Sequence, residues 1–225
     1  MNLLRPVAGV LVLVLPALAG DINGHALITK RLTKRVLSRV AYDLRGTSPA
    51  PAPASIDPVN EFERMVVVLE GGSSSPKPPT TVRIDQSNSH FDPDLVVIPV
   101  GSTVEFPNSD PIFHNVFSLS RAQSFDLGFF PRGQSRSVRF NRAGIIQVYC
   151  HIHADMYAAI VVTASTWYST PAADGSFSWK NVPPGHYHLA AWHKIAGLYG
   201  MDVQVPESGE VDVTIQIPVD LERRP

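Results

Sequence analysis

The chain has 225 residues, with 19 Lys and Arg against 20 Asp and Glu, twenty prolines, fifteen glycines and a single cysteine. This near-neutral balance gives no electrostatic footprint for nucleic-acid binding, and one cysteine rules out an internal disulfide and a c-type haem, which needs two. The length holds one large or two small domains, and frequent turn residues between short β-branched runs predict an all-β chain.

Residues 1–19 read as a secretory signal peptide: Arg5 precedes an apolar stretch from Val7 to Leu18, and Ala17-Leu18-Ala19 forms a small-residue cleavage site. The stretch of 12 apolar residues is short for a bilayer span. The mature protein is therefore expected to be periplasmic or secreted, with no transmembrane anchor after cleavage. Cleavage removes Arg5 and no acidic residue, leaving 18 basic against 20 acidic side chains.

Residues 20–70 carry N-terminal strands. Lys30, Arg31, Lys34, Arg35 and Arg39 crowd a segment whose apolar positions, Ile28, Leu32, Val36 and Val40, fit a helix, whereas Val36, Val40, Tyr42 and Leu44 also suit a strand face. A solvated charged face is favoured over a membrane-binding helix. Residues 47–58 are Pro/Ala-rich and predict an extended loop, after which Met65-Val66-Val67-Val68-Leu69 reads as a buried strand.

Residues 71–165 form the second region. After the Gly71–Pro79 loop, strands are predicted at Thr81 to Asp85, Leu95 to Pro99, Ser102 to Phe106, Asn115 to Leu119, Arg136 to Phe140, Ile145 to Cys150 and Ala158 to Thr163. Arg121 to Gly133 reads as a long irregular connection. That strand count suits a Greek-key sandwich.

The chemistry concentrates on one turn of this region. Cys150, His153 and Met156 lie between two apolar strand-like runs, and His114 follows the turn-rich break Pro107-Asn108-Ser109-Asp110-Pro111. A thiolate, two imidazoles and a thioether are the donor set of a blue-copper site. Structural zinc usually draws on more cysteines, and a catalytic thiol deprotonated by His151 or His153 lacks a recognisable surrounding signature. A buried, inert cysteine is the bland alternative. On an extended backbone the side chain of His151 is expected to point away from Cys150.

Residues 166–220 predict a smaller β-sandwich, with the turns Asp174-Gly175 and Pro183-Pro184-Gly185 and a final strand alternating Val211, Val213, Ile215 and Ile217. His186 and His188 share one strand face and, with His193, suggest a second metal site. No carboxylate or cysteine clearly completes it, so surface or core histidines are the preferred reading. His25 and His90 have no identifiable partners.

From about Val82 to Thr163 the chain resembles the cupredoxins of the amicyanin/plastocyanin-like type. The shared features are Gly101-Ser102-Thr103-Val104-Glu105-Phe106, the Asn108-Ser109-Asp110 turn, His114-Asn115, Gly144, and Tyr149-Cys150-His151-Ile152-His153-Ala154-Asp155-Met156. The resemblance implies a Greek-key sandwich holding one type 1 copper ion per chain on His114, Cys150, His153 and Met156, with Asn115 tying the two ligand loops together. It implies one-electron transfer with a redox partner protein of unknown identity rather than catalysis. The alternative is a copper-carrying or storage protein, or an accessory binding protein for an exported enzyme or assembly. Ile112, Phe113, Ile152 and Ala154 are candidates for an apolar docking rim, and each also suits a core position.

From Trp167 onward the Asp-Gly-x-Phe and Val-Pro-Pro-Gly-x-Tyr patterns resemble carboxypeptidase-regulatory-like, transthyretin-like domains. The opening strands of such a domain are missing just before Trp167. Asn23 to Ile28 and Met65 to Leu69 are candidates for them, which would make the cupredoxin an insertion in a discontinuous domain. The combined order is similar to that of bacterial proteins labelled methylamine-utilisation-like.

Overall fold

Alternating apolar residues and frequent Gly and Pro punctuation give an all-β architecture in the computed structural model, which describes residues 19–29, 60–72 and 77–217. The signal peptide up to Leu18, the basic segment from Lys30 and the Pro/Ala-rich loop at 47–58 lie outside the described residues. In chain order the strands are β1 (Gly20–Ile28), β2 (Met65–Glu70), β3 (Thr81–Arg83), β4 (Asp85–Ser87), β5 (His90–Asp92) and β6 (Leu95–Pro99). They continue as β7 (Thr103–Pro107), β8 (His114–Leu119), β9 (Ser124–Phe130), β10 (Ser135–Arg139), β11 (Gly144–Tyr149) and β12 (Tyr157–Thr163). The last are β13 (Tyr168–Ser169), β14 (Ser176–Val182), β15 (Gly185–His193), β16 (Gly197–Val205) and β17 (Glu210–Ile217). No helix among the described residues is long and apolar enough to cross a membrane.

One sandwich is contiguous. Its five-stranded sheet runs β6-β12-β11-β8-β9, opposed by β10-β7-β3 and the β4-β5 hairpin. Alternation along the strands sends Ile146, Val148, Ala158, Ile160 and Val162 inward against Phe106, Phe130 and Phe140, because successive strand side chains face opposite sides. Each fully buried side chain of this size contributes roughly 1.5–3 kcal/mol relative to exposure.

The second sandwich is assembled from distant pieces. Its sheets are β14-β1-β17 and β13-β2-β15-β16, so β1 and β2 pack with strands more than a hundred residues later. β1 pairs in parallel with β17 over Asp21 to Ile28, and β15 pairs antiparallel with β2 from His188↔Glu70 to His193↔Met65. Met65, Val67 and Leu69 face the core of this sandwich, with Ile22, Trp179, Leu189 and Ile215.

The all-buried run at β2 has a simple cause: both of its faces are covered. Val66, Val68 and Trp192 pack against Ala159 and Val161 of β12, joining the two sandwiches through a small apolar cluster. A polar clamp reinforces the joint. The Lys194 ammonium bonds the Asp94 carboxylate and sits 4.7 Å over the Tyr157 ring, while the Lys194 N–H donates to the Arg64 carbonyl at 2.9 Å.

The connection from Arg121 to Gly133 differs from expectation. It contains β9, the edge strand that pairs antiparallel with β8. The register shifts between Asn115 and Phe117, with Gly128 at φ +66° opposite the shift. Such a bulge moves inward-facing residues out of strict alternation, so Phe125, Leu127 and then Phe130 turn inward without a period-two signal.

Candidate metal centre

His114 opens β8, and Cys150 directly follows β11. The turn after Cys150 is closed by the Met156 N–H donating to the His153 carbonyl at 3.1 Å, before the chain returns in β12. The pairing of β11 with both β8 and β12 therefore brings the two segments together.

Three side chains converge there. His114 Nδ1 lies 3.1 Å from His153 Nδ1 and 4.0 Å from Cys150 Sγ, and Cys150 Sγ lies 3.7 Å from His153 Nδ1. Among the described residues these form the group whose donor atoms all fall within 4.8 Å of one another. His114 and Cys150 are buried and His153 is half-buried. Met156 is fully buried in the same core cluster as Cys150.

The ring of His114 is held from behind. Its Nε2 donates to Asp110 Oδ2 at 2.7 Å, which leaves the lone pair on Nδ1, the nitrogen that faces Cys150 and His153. Asp110 is itself buried and accepts the backbone N–H groups of Asn88 at 2.6 Å and Ser89 at 2.8 Å. Both residues adopt positive φ, 52° and 56°, in the β4-β5 turn, so successive N–H groups point at one carboxylate. Burial pushes the Asp110 carboxyl up, but the Ser89 N–H, the His114 ring and the Asn88 N–H outweigh it and hold it below its usual range. A carboxylate behind an imidazole fixes its tautomer and orientation, a recurrent arrangement in metal sites. Asp110 carried no signal in the sequence beyond its place in a turn. Besides His114, its carboxylate partners are backbone groups of a hairpin more than twenty residues away.

Asn115, expected to tie the ligand loops, donates its amide to Asp126 Oδ1 on β9 at 2.7 Å, and its own Oδ1 is buried without a partner among the described residues. His151 turns to the outer face of the sheet. It stacks on Phe117 with ring centroids 3.8 Å apart, and its Nε2 lies 3.5 Å from Asp126 Oδ2. The Asp126 carboxyl is held below its usual range, first by the Gly128 N–H and then by Asn115.

The remaining histidines are scattered. His186 and His188 are exposed on β15, and His188 Nδ1 meets Asp202 Oδ1 at 2.9 Å. His193 is buried, with Nδ1 accepting the N–H groups of Ile195 and Ala196, both at 3.1 Å. These three do not form a cluster of donor atoms. His25 and His90 are exposed.

The converging donors suit a soft or borderline transition metal. Two imidazole lone pairs and a sulfur meeting within 4 Å repel one another unless a cation or proton lies between them, and thiolate with thioether selects against hard cations. Around this point Ile112, Phe113 and Ile152 are exposed apolar side chains, and Ala154 is exposed beside His153.

No protein-family model matches the sequence, and no curated protein matches it. Among solved structures the chain is similar to cupredoxins. A Cu(I) form of a methionine-to-alanine variant of amicyanin is 21% identical, covering 37% of this chain and 82% of its own, with a TM-score of 0.35. The purple cupredoxin from Nitrosopumilus maritimus is 22% identical over 36% of this chain and 99% of its own, with a TM-score of 0.33. A copper-containing nitrite reductase from Thermus scotoductus is 25% identical over 43% of this chain and 25% of its own, with a TM-score of 0.35.

Proposed function

We propose that the protein is an exported type 1 copper protein that carries single electrons. The observation that carries this reading is the convergence of His114 Nδ1, Cys150 Sγ and His153 Nδ1 in a buried setting, beside a fully buried Met156. His114, Cys150, His153 and Met156 are the residues that would hold one copper ion, which supplies a one-electron couple.

The chain's own groups prepare the site. Asp110 keeps the proton of His114 on Nε2, so that Nδ1 is free to bind metal. Cys150 is buried in the apolar cluster that also holds Phe106, Phe130 and Met156, which limits water at its sulfur. Such a dry, preset cage limits rearrangement when charge changes. His153 reaches partial exposure between Ile152 and Ala154, and the apolar rim of Ile112, Phe113 and Ile152 would seat a redox partner protein. Two imidazoles, thiolate and thioether leave no open position for substrate, which argues for transfer rather than catalysis. The signal-peptide pattern supports export, and the second sandwich, read as a carboxypeptidase-regulatory-like domain, would position the copper domain rather than react.

Copper loading of the full chain is expected to give one ion per chain and an intense visible thiolate-to-copper band, and Cys150→Ser should abolish that band. Copper-loaded protein without it would overturn the blue-site reading. Rapid release of copper to a chelator, with slow electron exchange, would favour a copper-carrying role instead.

A further inference from the structure

The face of β2, β15 and β16 that looks toward the copper sandwich is graded from apolar to acidic. Register sets Val66, Trp192 and Leu198 side by side, then Val68, Ala190 and Gly200, then Glu70, His188 and Asp202. Only the apolar end is partly covered by β11 and β12. A cleft of about 580 Å³ remains between the sandwiches, floored by Val66, Val68, Ala190 and Trp192 and roofed by Ile145 and Val161. Ligand sites favour such concave, mainly apolar spaces between domains, with a few polar groups at one end.

The polar end is built. Glu70 and Gly71 line both this cleft and an adjoining depression that contains His186, His188 and Asp202. The His188 ring lies where a side chain on residue 200 would be: a Cβ built on Gly200 would meet His188 Nε2 at 2.2 Å. With Nδ1 facing Asp202 at 2.9 Å, the ring leans across Gly200 toward the apolar floor, and the Glu70 and Asp202 carboxylates flank it along the row. Among the described residues neither depression is lined by Lys or Arg. Leu198 remains 64% exposed beside the cleft, on the edge strand β16.

We propose that this cleft binds a small amphipathic amine, its alkyl or aryl body on Trp192 and Ala190 and its ammonium group facing the Glu70 carboxylate. The Glu70 and Asp202 carboxylates at the polar end, with no Lys or Arg lining it among the described residues, select a cation over an acid. Partial exposure of the acceptors limits the charge contribution to a few-fold in affinity.

The test uses the full chain and three probes of equal length: octylamine, octanol and octanoate. Binding is followed by backbone amide shifts and tryptophan fluorescence, which read the cleft independently of metal. Octylamine is expected to bind saturably with shifts at Ala190, Trp192, Val161 and Gly71. It should bind about fivefold more tightly than octanol, with octanoate weaker again. Glu70→Gln should bring octylamine to the level of octanol. Leu198→Lys, at an exposed edge position, should weaken octylamine while leaving the fold intact. Equal affinity for octylamine and octanol, indifference to Glu70→Gln, shifts confined to Ile112, Phe113 and Ile152, or no saturable binding would each overturn the proposal.

Discussion

Each sandwich of this protein buries one imidazole completely, and the two are put to opposite use. His114 in the contiguous sandwich donates its Nε2–H to Asp110 and keeps Nδ1 turned toward Cys150 and His153. His193 in the assembled sandwich spends Nδ1 on the N–H groups of Ile195 and Ala196, and its Nε2 faces the carbonyl of Glu61 at 3.2 Å. Both rings are buried and both have polar partners. Burial alone therefore says nothing about function; what matters is whether a ring nitrogen faces other donor atoms or is taken up by backbone N–H groups.

The comparison is most exposed to failure at Asp110. Asp110→Asn places an amide where three donors converge, so at least one donor loses its acceptor and the His114 ring loses its fixed tautomer. Metal affinity, measured by competition with a chelator, is expected to fall by about 10–100-fold. Unchanged affinity would mean that packing alone orients His114.

His193 should respond in stability rather than in metal binding. His193→Ala strands the Ile195 and Ala196 N–H groups, a loss of about 1–3 kcal/mol in denaturant unfolding, with the visible band of the copper-loaded protein unchanged. Burial holds the folded-state pKa of His193 below its ordinary value of 6.5. The folded protein then binds fewer protons than the unfolded chain, so this contribution is intact above pH 6.5 and is lost as pH falls below it. Melting temperature across that window should be flatter in His193→Gln than in the parent. An identical slope would remove His193 as the cause.

A smaller effect is expected at the joint. Lys194→Met keeps the stem over Tyr157 but loses the bond to Asp94, whose side chain is 48% exposed. The expected change is below about 1 kcal/mol. A larger loss in denaturant unfolding would show that the clamp, rather than the apolar cluster around Trp192 and Val161, holds the sandwiches together.

These contrasts follow what a linear sequence can display. Cys150, His153 and Met156 stand on one short turn with donor-bearing side chains, and that pattern is visible without a fold. The alternation of Val211, Val213, Ile215 and Ile217 likewise shows a half-buried strand, because one side of β17 faces the core of its sandwich. Asp110 was not legible as a support, since its other partners are the N–H groups of Asn88 and Ser89, which every residue except proline possesses. β9 was hidden by its bulge. The use of Asn115 depended on Asp126, a residue of that same hidden strand.

The parallel pairing of β1 with β17 also orders events during synthesis. The contiguous sandwich is drawn from residues 81–163 and has all its strands once that stretch is available. Its neighbour's central strand β1 lacks its parallel partner until Ile217 has been made. Contacts so distant along the chain pay their loop-closure entropy late, so the contiguous sandwich can form while β1 and β2 still wait for their partners. A truncated chain ending before β17 would then keep the donor cluster but leave one side of β1 unpaired, an exposed edge prone to association.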